Sequence, residues 1–325
     1  MTQLGLFGAP DDGGLAPVDP DLVALASRLR PDLRLGTSSW TFPGWPIWSP
    51  RRRWTEASLA RDGLRAYAAH PLFRTVGLDR TFYKPMTPTE LASLAAQVPE
   101  DFRFLVKAHD ALLYARFPDH PRHGPRAGQA NPGFLDVGQA RDTVFGPLVE
   151  GLGAKAGVLV LQFPPQPASE LGGRDFPTRL HHFLDALRPL GVRVAVEVRV
   201  AALHTAALVD ALRDVGAAPV LSAWSGLPPI EAQARVLRTG SFAFHVVRWM
   251  LQDGASYTEA RDRFAPFADL AAPDSLTRTA IAKLVSAAVG DTWVIVNNKA
   301  EGCAPASVAA LARALVHVAK ARDPV

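Results

Sequence analysis

Val192-Arg193-Val194-Ala195-Val196-Glu197-Val198-Arg199 is the stretch whose reading decides the fold. It is rich in β-branched residues, and along an extended chain Val194, Val196 and Val198 share one face while Ala195, Glu197 and Arg199 share the other. A strand that is apolar on both faces is buried on both, as in a parallel sheet covered by helices. Beyond Arg193 at its start, charge enters only at its last residues, so Glu197 and Arg199 become inward-facing neighbours that can pair.

Seven further runs of the same kind lie on either side. With this one they are Leu33–Thr37, Arg74–Leu78, Phe102–Lys107, Val158–Gln162, Val192–Val198, Pro219–Ser222, Phe242–Arg248 and Trp293–Asn297. Between them Glu56–Ala69, Pro88–Gln97, Arg141–Gly151, Phe176–Leu187, Ala202–Val215, Asp274–Val289 and Ala304–Ala319 carry the apolar spacing of amphipathic helices, with a weaker one at Ile230–Leu237. Thr87-Pro88 reads as a helix start, as does Asp274 or Ser275, and Gly290 closes the latter helix. Eight alternations of strand and helix predict an α/β fold of TIM type, a single (β/α)₈ barrel. The predicted organisation is a flexible tail over residues 1–25, rich in Gly, Pro and Asp at its start, followed by the barrel over residues 26–325.

Composition agrees with one large domain, since 325 residues with 48% hydrophobic content can bury a full barrel core. No apolar run reaches the roughly 18 residues of a membrane helix and no leader-like start is seen, so a cytoplasmic protein without a membrane partner is expected. The lone Cys303 has no partner for an internal disulfide. The histidines show no ligand spacing, and no glycine-rich loop opens a helix after a strand, so neither a metal nor another cofactor is expected. A formal net charge of +4 is modest, but arginines cluster at Arg51-Arg52-Arg53 and at Arg116, Arg122 and Arg126, either as solvated loops or as a surface for nucleic acid.

Charges at the ends of buried strands must point into the barrel mouth or be paired. That rule selects Thr37, Ser38 and Trp40 after strand one, Asp79, Thr81 and Tyr83 after strand two, and Lys107 at the end of strand three. It also selects Gln162 on strand four, Glu197 and Arg199 on strand five, Arg248 on strand seven, and Asn297 and Asn298 on strand eight. Glu197 could be an acid/base carboxylate held by a cation, or half of an ion pair that only organises the barrel. Lys107 could hold an anion, act as an amine of lowered pKa, or be structural. Arg248 could clamp a carboxylate or phosphate, or partner Glu197. Two long connections, residues 108–140 and 249–273, follow strands three and seven and therefore border the same face.

At these strand ends the chain resembles the YecE-like family, a domain of unknown function (number seventy-two) with a TIM-type barrel. The resemblance rests on Gly36-Thr37-Ser38-Ser39-Trp40, Pro43-Gly44-Trp45, Thr81-Phe82-Tyr83, Val106-Lys107-Ala108, Leu161-Gln162-Phe163-Pro164-Pro165, Ala195-Val196-Glu197 with Arg199, Val247-Arg248, and Asn297-Asn298 with Gly302. It runs from about residue 33 to 320. The family usually has a glutamate and an asparagine before Thr-Phe-Tyr, where this chain has Gly77 and Asp79. It usually has a histidine where Val200 stands, and a His-Gly where Met250-Leu251 stands. The resemblance therefore implies a divergent member lacking several acid/base groups, and supplies no reaction.

A second resemblance lies in the tail: Gln3-Leu4-Gly5-Leu6-Phe7 is similar to the short peptide that docks bacterial proteins on the replication sliding clamp, with Gln3, Leu4, Leu6 and Phe7 as its contacts. Three readings follow. The first is a barrel enzyme, such as a hydrolase or isomerase, that takes a small anionic or polyhydroxylated substrate, with Glu197 and Lys107 catalytic, Arg199 and Arg248 as clamps, and Gln162, Asn297 and Asn298 orienting the substrate. The second is a clamp-tethered accessory protein of DNA replication or repair that binds nucleic acid. The third is a barrel that binds a metabolite without chemistry, for which Glu197, Arg199 and Arg248 should be paired with one another.

Overall fold

The computed structural model describes residues 14–322. Eight parallel strands close into a barrel in sequence order: β1 Leu33–Thr37, β2 Thr75–Leu78, β3 Arg103–Lys107, β4 Ala156–Phe163, β5 Val194–Val198, β6 Ala218–Ala223, β7 His245–Trp249 and β8 Thr292–Val296. All eight expected strands are present, within a few residues of their expected ends. Leu35, Val76, Leu105, Val160, Ala195, Val246 and Ile295 are almost completely buried, which is why these runs are apolar on both faces. Closure between β1 and β2 needs a bare backbone at Gly36, where a Cβ would lie 2.0 Å from the Thr75 carbonyl oxygen.

The ladder register sets what the mouth contains. Gln162 on β4 pairs with Glu197 on β5, and Ser222 on β6 pairs with Arg248 on β7, so polar side chains from four consecutive strands end beside one another. β3 ends on Lys107.

Helices surround the strands. Thr87 caps the helix Pro88–Ala95 in a reciprocal capping box with Glu90, and Asp274 caps Ser275–Ala287. The stretch expected as one helix over Glu56–Ala69 widens instead into a π-helical turn at Leu59–Gly63. The turn coincides with a tertiary contact: the Trp40 indole N–H donates to the Leu59 carbonyl at 2.8 Å, so a side chain from beyond β1 occupies a helix acceptor. A second π turn, Arg141–Phe145, interrupts the helical stretch from Val137 to Leu152.

Part of the stretch read as tail is folded. Leu15 bridges to Trp48, the Ala16 N–H donates to the Ile47 carbonyl at 2.8 Å, and the helix Pro20–Ala26, capped by Asp19, packs near the last helix, Ala304–Arg322. The Gln3–Phe7 peptide lies outside the described residues. No helix among the described residues is long and apolar enough to cross a membrane.

Candidate functional site in the barrel mouth

Arg248 is the centre of the mouth. It is fully buried at the end of β7, and burial of a guanidinium must be offset by acceptors. Its Nη1 donates to Glu197 Oε2 at 2.5 Å and to Gln162 Oε1 at 2.8 Å, while its Nη2 reaches the two Asp79 carboxylate oxygens at 3.1 and 3.3 Å. Glu197, also fully buried, accepts from Arg199 Nε at 2.6 Å and from the Ser222 hydroxyl at 3.1 Å, both at Oε1. Burial alone would raise the Glu197 carboxyl, but the two guanidiniums outweigh it and bring its pKa down to about 2. The alternation of β5 therefore places Glu197 and Arg199 together, and the pair is saturated by its neighbours.

Above this lattice opens a cavity of about 690 Å³. Glu197 is not among the residues that line it; Asp79, Gln162, Arg199 and Arg248 are. Arg199 is pressed against Trp224, its guanidinium carbon 3.6 Å from the ring centroid. Two lysines also face the cavity. Lys107 is 6% exposed, and its ammonium has neither hydrogen bond nor ion pair among the described residues; it rests 4.1 Å above the Phe82 ring. Lys299, 5% exposed, lies 4.2 Å over Tyr257 with only a 3.5 Å contact to Asn297 Oδ1. Burial lowers each to about 8; for Lys107, Arg248 and Arg199 add to the fall, while Asp79 and Glu197 oppose it.

The expected site residues divide. Ser38, Trp40, Asp79, Tyr83, Lys107, Gln162, Arg199, Arg248 and Asn297 line the cavity. Thr37, Thr81, Asn298 and Glu197 do not. The Thr37 hydroxyl shares a hydrogen bond with Tyr67 at 2.9 Å, on the helix side of β1. Thr81 donates to the Leu78 and Lys107 carbonyls, tying β2 to β3. Asn298 accepts from the Trp45 indole at 2.9 Å and from the Ala304 N–H, anchoring a loop. Trp45 and Trp249 are buried away from the cavity.

The site-choosing rule missed Arg80, Tyr114, Arg122, Trp224 and Tyr257, all of which line the cavity. Tyr114, Arg122 and Tyr257 come from the two long connections, whereas Arg80 and Trp224 stand within two residues of the ends of β2 and β6. Arg122 pairs with Asp110 at 3.2 Å and lies 5.2 Å over Tyr83, and Tyr257 opens the helix Tyr257–Phe264. The only signal for Tyr114, Arg122 and Tyr257 was the unusual length of the two loops, while Arg80 and Trp224 adjoin strand ends. The loop after β3 is fixed by side-chain amides: Asn131 donates to the Ala111 and Tyr114 carbonyls at 2.7 Å, and Gln166 bonds Leu113 and Ala115.

Gly77 also lines the mouth, and a Cβ there would lie 3.1 Å from the Ser38 backbone, a tight contact that would require β1 to give by a few tenths of an ångström. Asp79, two residues on, reaches Arg248 instead. No group of three or more His, Cys, Asp or Glu that could hold a metal ion occurs among the described residues.

A family model described as "Protein of unknown function DUF72" matches residues 34–324. Among solved structures the chain is similar to a DUF72 family protein from Enterococcus faecalis, with 15% identity and a TM-score of 0.56 over 87% of this chain and 95% of that one. It is also similar to one from Thermotoga maritima, with 18% identity and a TM-score of 0.55 over 87% and 98%. At these identities the likeness is one of fold. No curated protein matches the chain.

Proposed function

The chain belongs to the DUF72 family of proteins of unknown function, and from that premise we propose that its barrel mouth binds a small anionic ligand. The observation that carries this reading is a cavity of about 690 Å³ lined by two buried ammonium groups that make no ion pair with a carboxylate among the described residues, above an arginine–carboxylate lattice that is already self-paired. Leaving an ammonium buried and unpaired costs free energy, and an incoming carboxylate or phosphate would offset that cost. Polar neutral groups, Ser38, Gln162 and Asn297, supply donors and acceptors for hydroxyls on the same ligand.

In this reading Glu197 is a fixed counter-charge and not the proton carrier. A carboxylate held at about 2, walled off from the cavity and accepting three hydrogen bonds, is a poor general base at neutral pH. The self-paired Glu197–Arg199–Arg248 cluster favours binding over chemistry at that residue, and leaves Lys107 as the reactive candidate.

Isothermal calorimetry against a panel of small carboxylates and phosphates tests the proposal. Binding that weakens at least about ten-fold in both Lys107→Met and Lys299→Met supports it, the expected effect of removing a charge-assisted contact. Binding that leaves both variants at wild-type affinity would refute it.

A further inference from the structure

The basic residues of this chain are strongly biased: 29 are arginine and six are lysine. Where a permanent cation is wanted, the chain uses arginine, as at Arg248 and Arg199. Two of its six lysines nevertheless stand in the buried wall of the mouth. Arginine and lysine differ in one chemical respect that matters here: only the lysine can lose its proton and become a nucleophile.

Lys107 has the surroundings that such an amine requires. It ends β3, a rigid element, so its position does not depend on a loop. Its nitrogen has no carboxylate within ion-pair distance among the described residues, and the nearest aromatic face is Phe82 at 4.1 Å. The guanidiniums of Arg248 and Arg199 act against its charge, whereas Asp79 and Glu197, which favour it, are each occupied by arginine. A desolvated lysine beside other cations is the arrangement that activates an amine toward carbonyl compounds.

We propose that Lys107 forms a reversible imine with the carbonyl group of an anionic aldehyde or ketone held in the mouth. The step is balanced within the pair: the neutral amine nitrogen adds to the carbonyl carbon, the C–O bond then breaks, and the two amine protons leave with the carbonyl oxygen as water. Lys299, at the other wall, is left to hold the ligand's carboxylate or phosphate. The inference rests on the anion-binding reading above and adds to it the ligand class and the bond formed.

The test uses the full-length protein with glyoxylate as the probe and sodium cyanoborohydride to reduce any imine to a stable secondary amine, followed by peptide mapping. Lys84 and Lys283, both exposed, serve as internal references, so no variant needs to fold for the comparison. At pH 8 an amine that titrates near 8 is about half deprotonated, against well under one per cent for an ordinary lysine, so Lys107 is expected to be labelled at least about ten-fold faster than either reference. Its labelling should already be levelling off by pH 9, while theirs continues to climb. Calorimetry with glycolate, which has the same carboxylate but no carbonyl, separates the two claims. Glycolate binding with no preferential labelling of Lys107 overturns the imine and leaves the anion site standing. If glycolate does not bind and Lys107 is not labelled, both fall; preferential labelling of Lys107 over Lys84 and Lys283 supports the imine.

Discussion

The two ends of this barrel both carry arginines beside carboxylates, yet they use charge in opposite ways. At the end where the strands begin, Asp291 bridges Arg34 at 3.1 Å and Arg193 at 3.0 Å, with both guanidiniums near Trp293, at 5.2 and 5.0 Å from its ring centroid. Those side chains remain 16–40% exposed. In the mouth, Arg248 and Glu197 are fully buried, and the two lysines that face the cavity make no ion pair among the described residues. Half-exposed pairs are screened by water and contribute little each, so the base is tolerant. Buried pairs are costly to break, and a buried unpaired cation is a standing cost that structure alone does not require. The contrast suggests that the base serves stability and the mouth sacrifices some.

The sharpest break of that comparison is Glu197→Gln. It should cost about 3–5 kcal/mol in urea unfolding, because Arg199 and Arg248 lose the charge that compensates their burial. A loss below about 1 kcal/mol would mean that the lattice is solvated and that the two ends are alike. Next in size, Lys107→Met should raise stability at pH 7 by about 1–3 kcal/mol while weakening anion binding, an exchange of stability for function measurable by the same unfolding experiment and by calorimetry.

The same lysine sets a pH dependence whose sign can be worked out. Unfolded, its amine keeps its proton to about 10.5; folded, it releases it near 8. Between those values the unfolded chain binds more protons, so stability should rise with pH, by at most about 1.4 kcal/mol per unit for this residue. Unfolding curves from pH 8 to 10 should show a shallower rise in Lys107→Met than in the wild type. Smallest of all, Arg193→Ala at the base should change stability by less than about 1 kcal/mol, and 0.5 M salt should shrink that effect further.

How far the sequence could be read follows from the same geometry. The strands were legible because burial on both faces leaves long apolar runs, and Glu197 with Arg199 was legible because a period of two fixes which residues share a face. That period also explains the errors at strand ends. Ser38 and Asn297 line the cavity whereas their neighbours Thr37 and Asn298 bond Tyr67 and Trp45, and polarity alone does not tell adjacent residues apart once the strand has ended. Arg122 and Tyr257 were illegible for another reason. They sit on connections with no periodicity, where position is set by remote ties such as those of Asn131 and Gln166. The π turn at Leu59–Gly63 had no local signal, since the contact it coincides with is made by an indole from residue 40.

Trp224, under the Arg199 guanidinium, has a spectroscopic consequence. The other six tryptophans are 8% exposed or less, so theirs should be the blue part of the intrinsic emission and Trp224 should supply the red edge. Should the proposed anion occupy the mouth, its arrival and departure would be timed separately and without a label at the long-wavelength side of the spectrum.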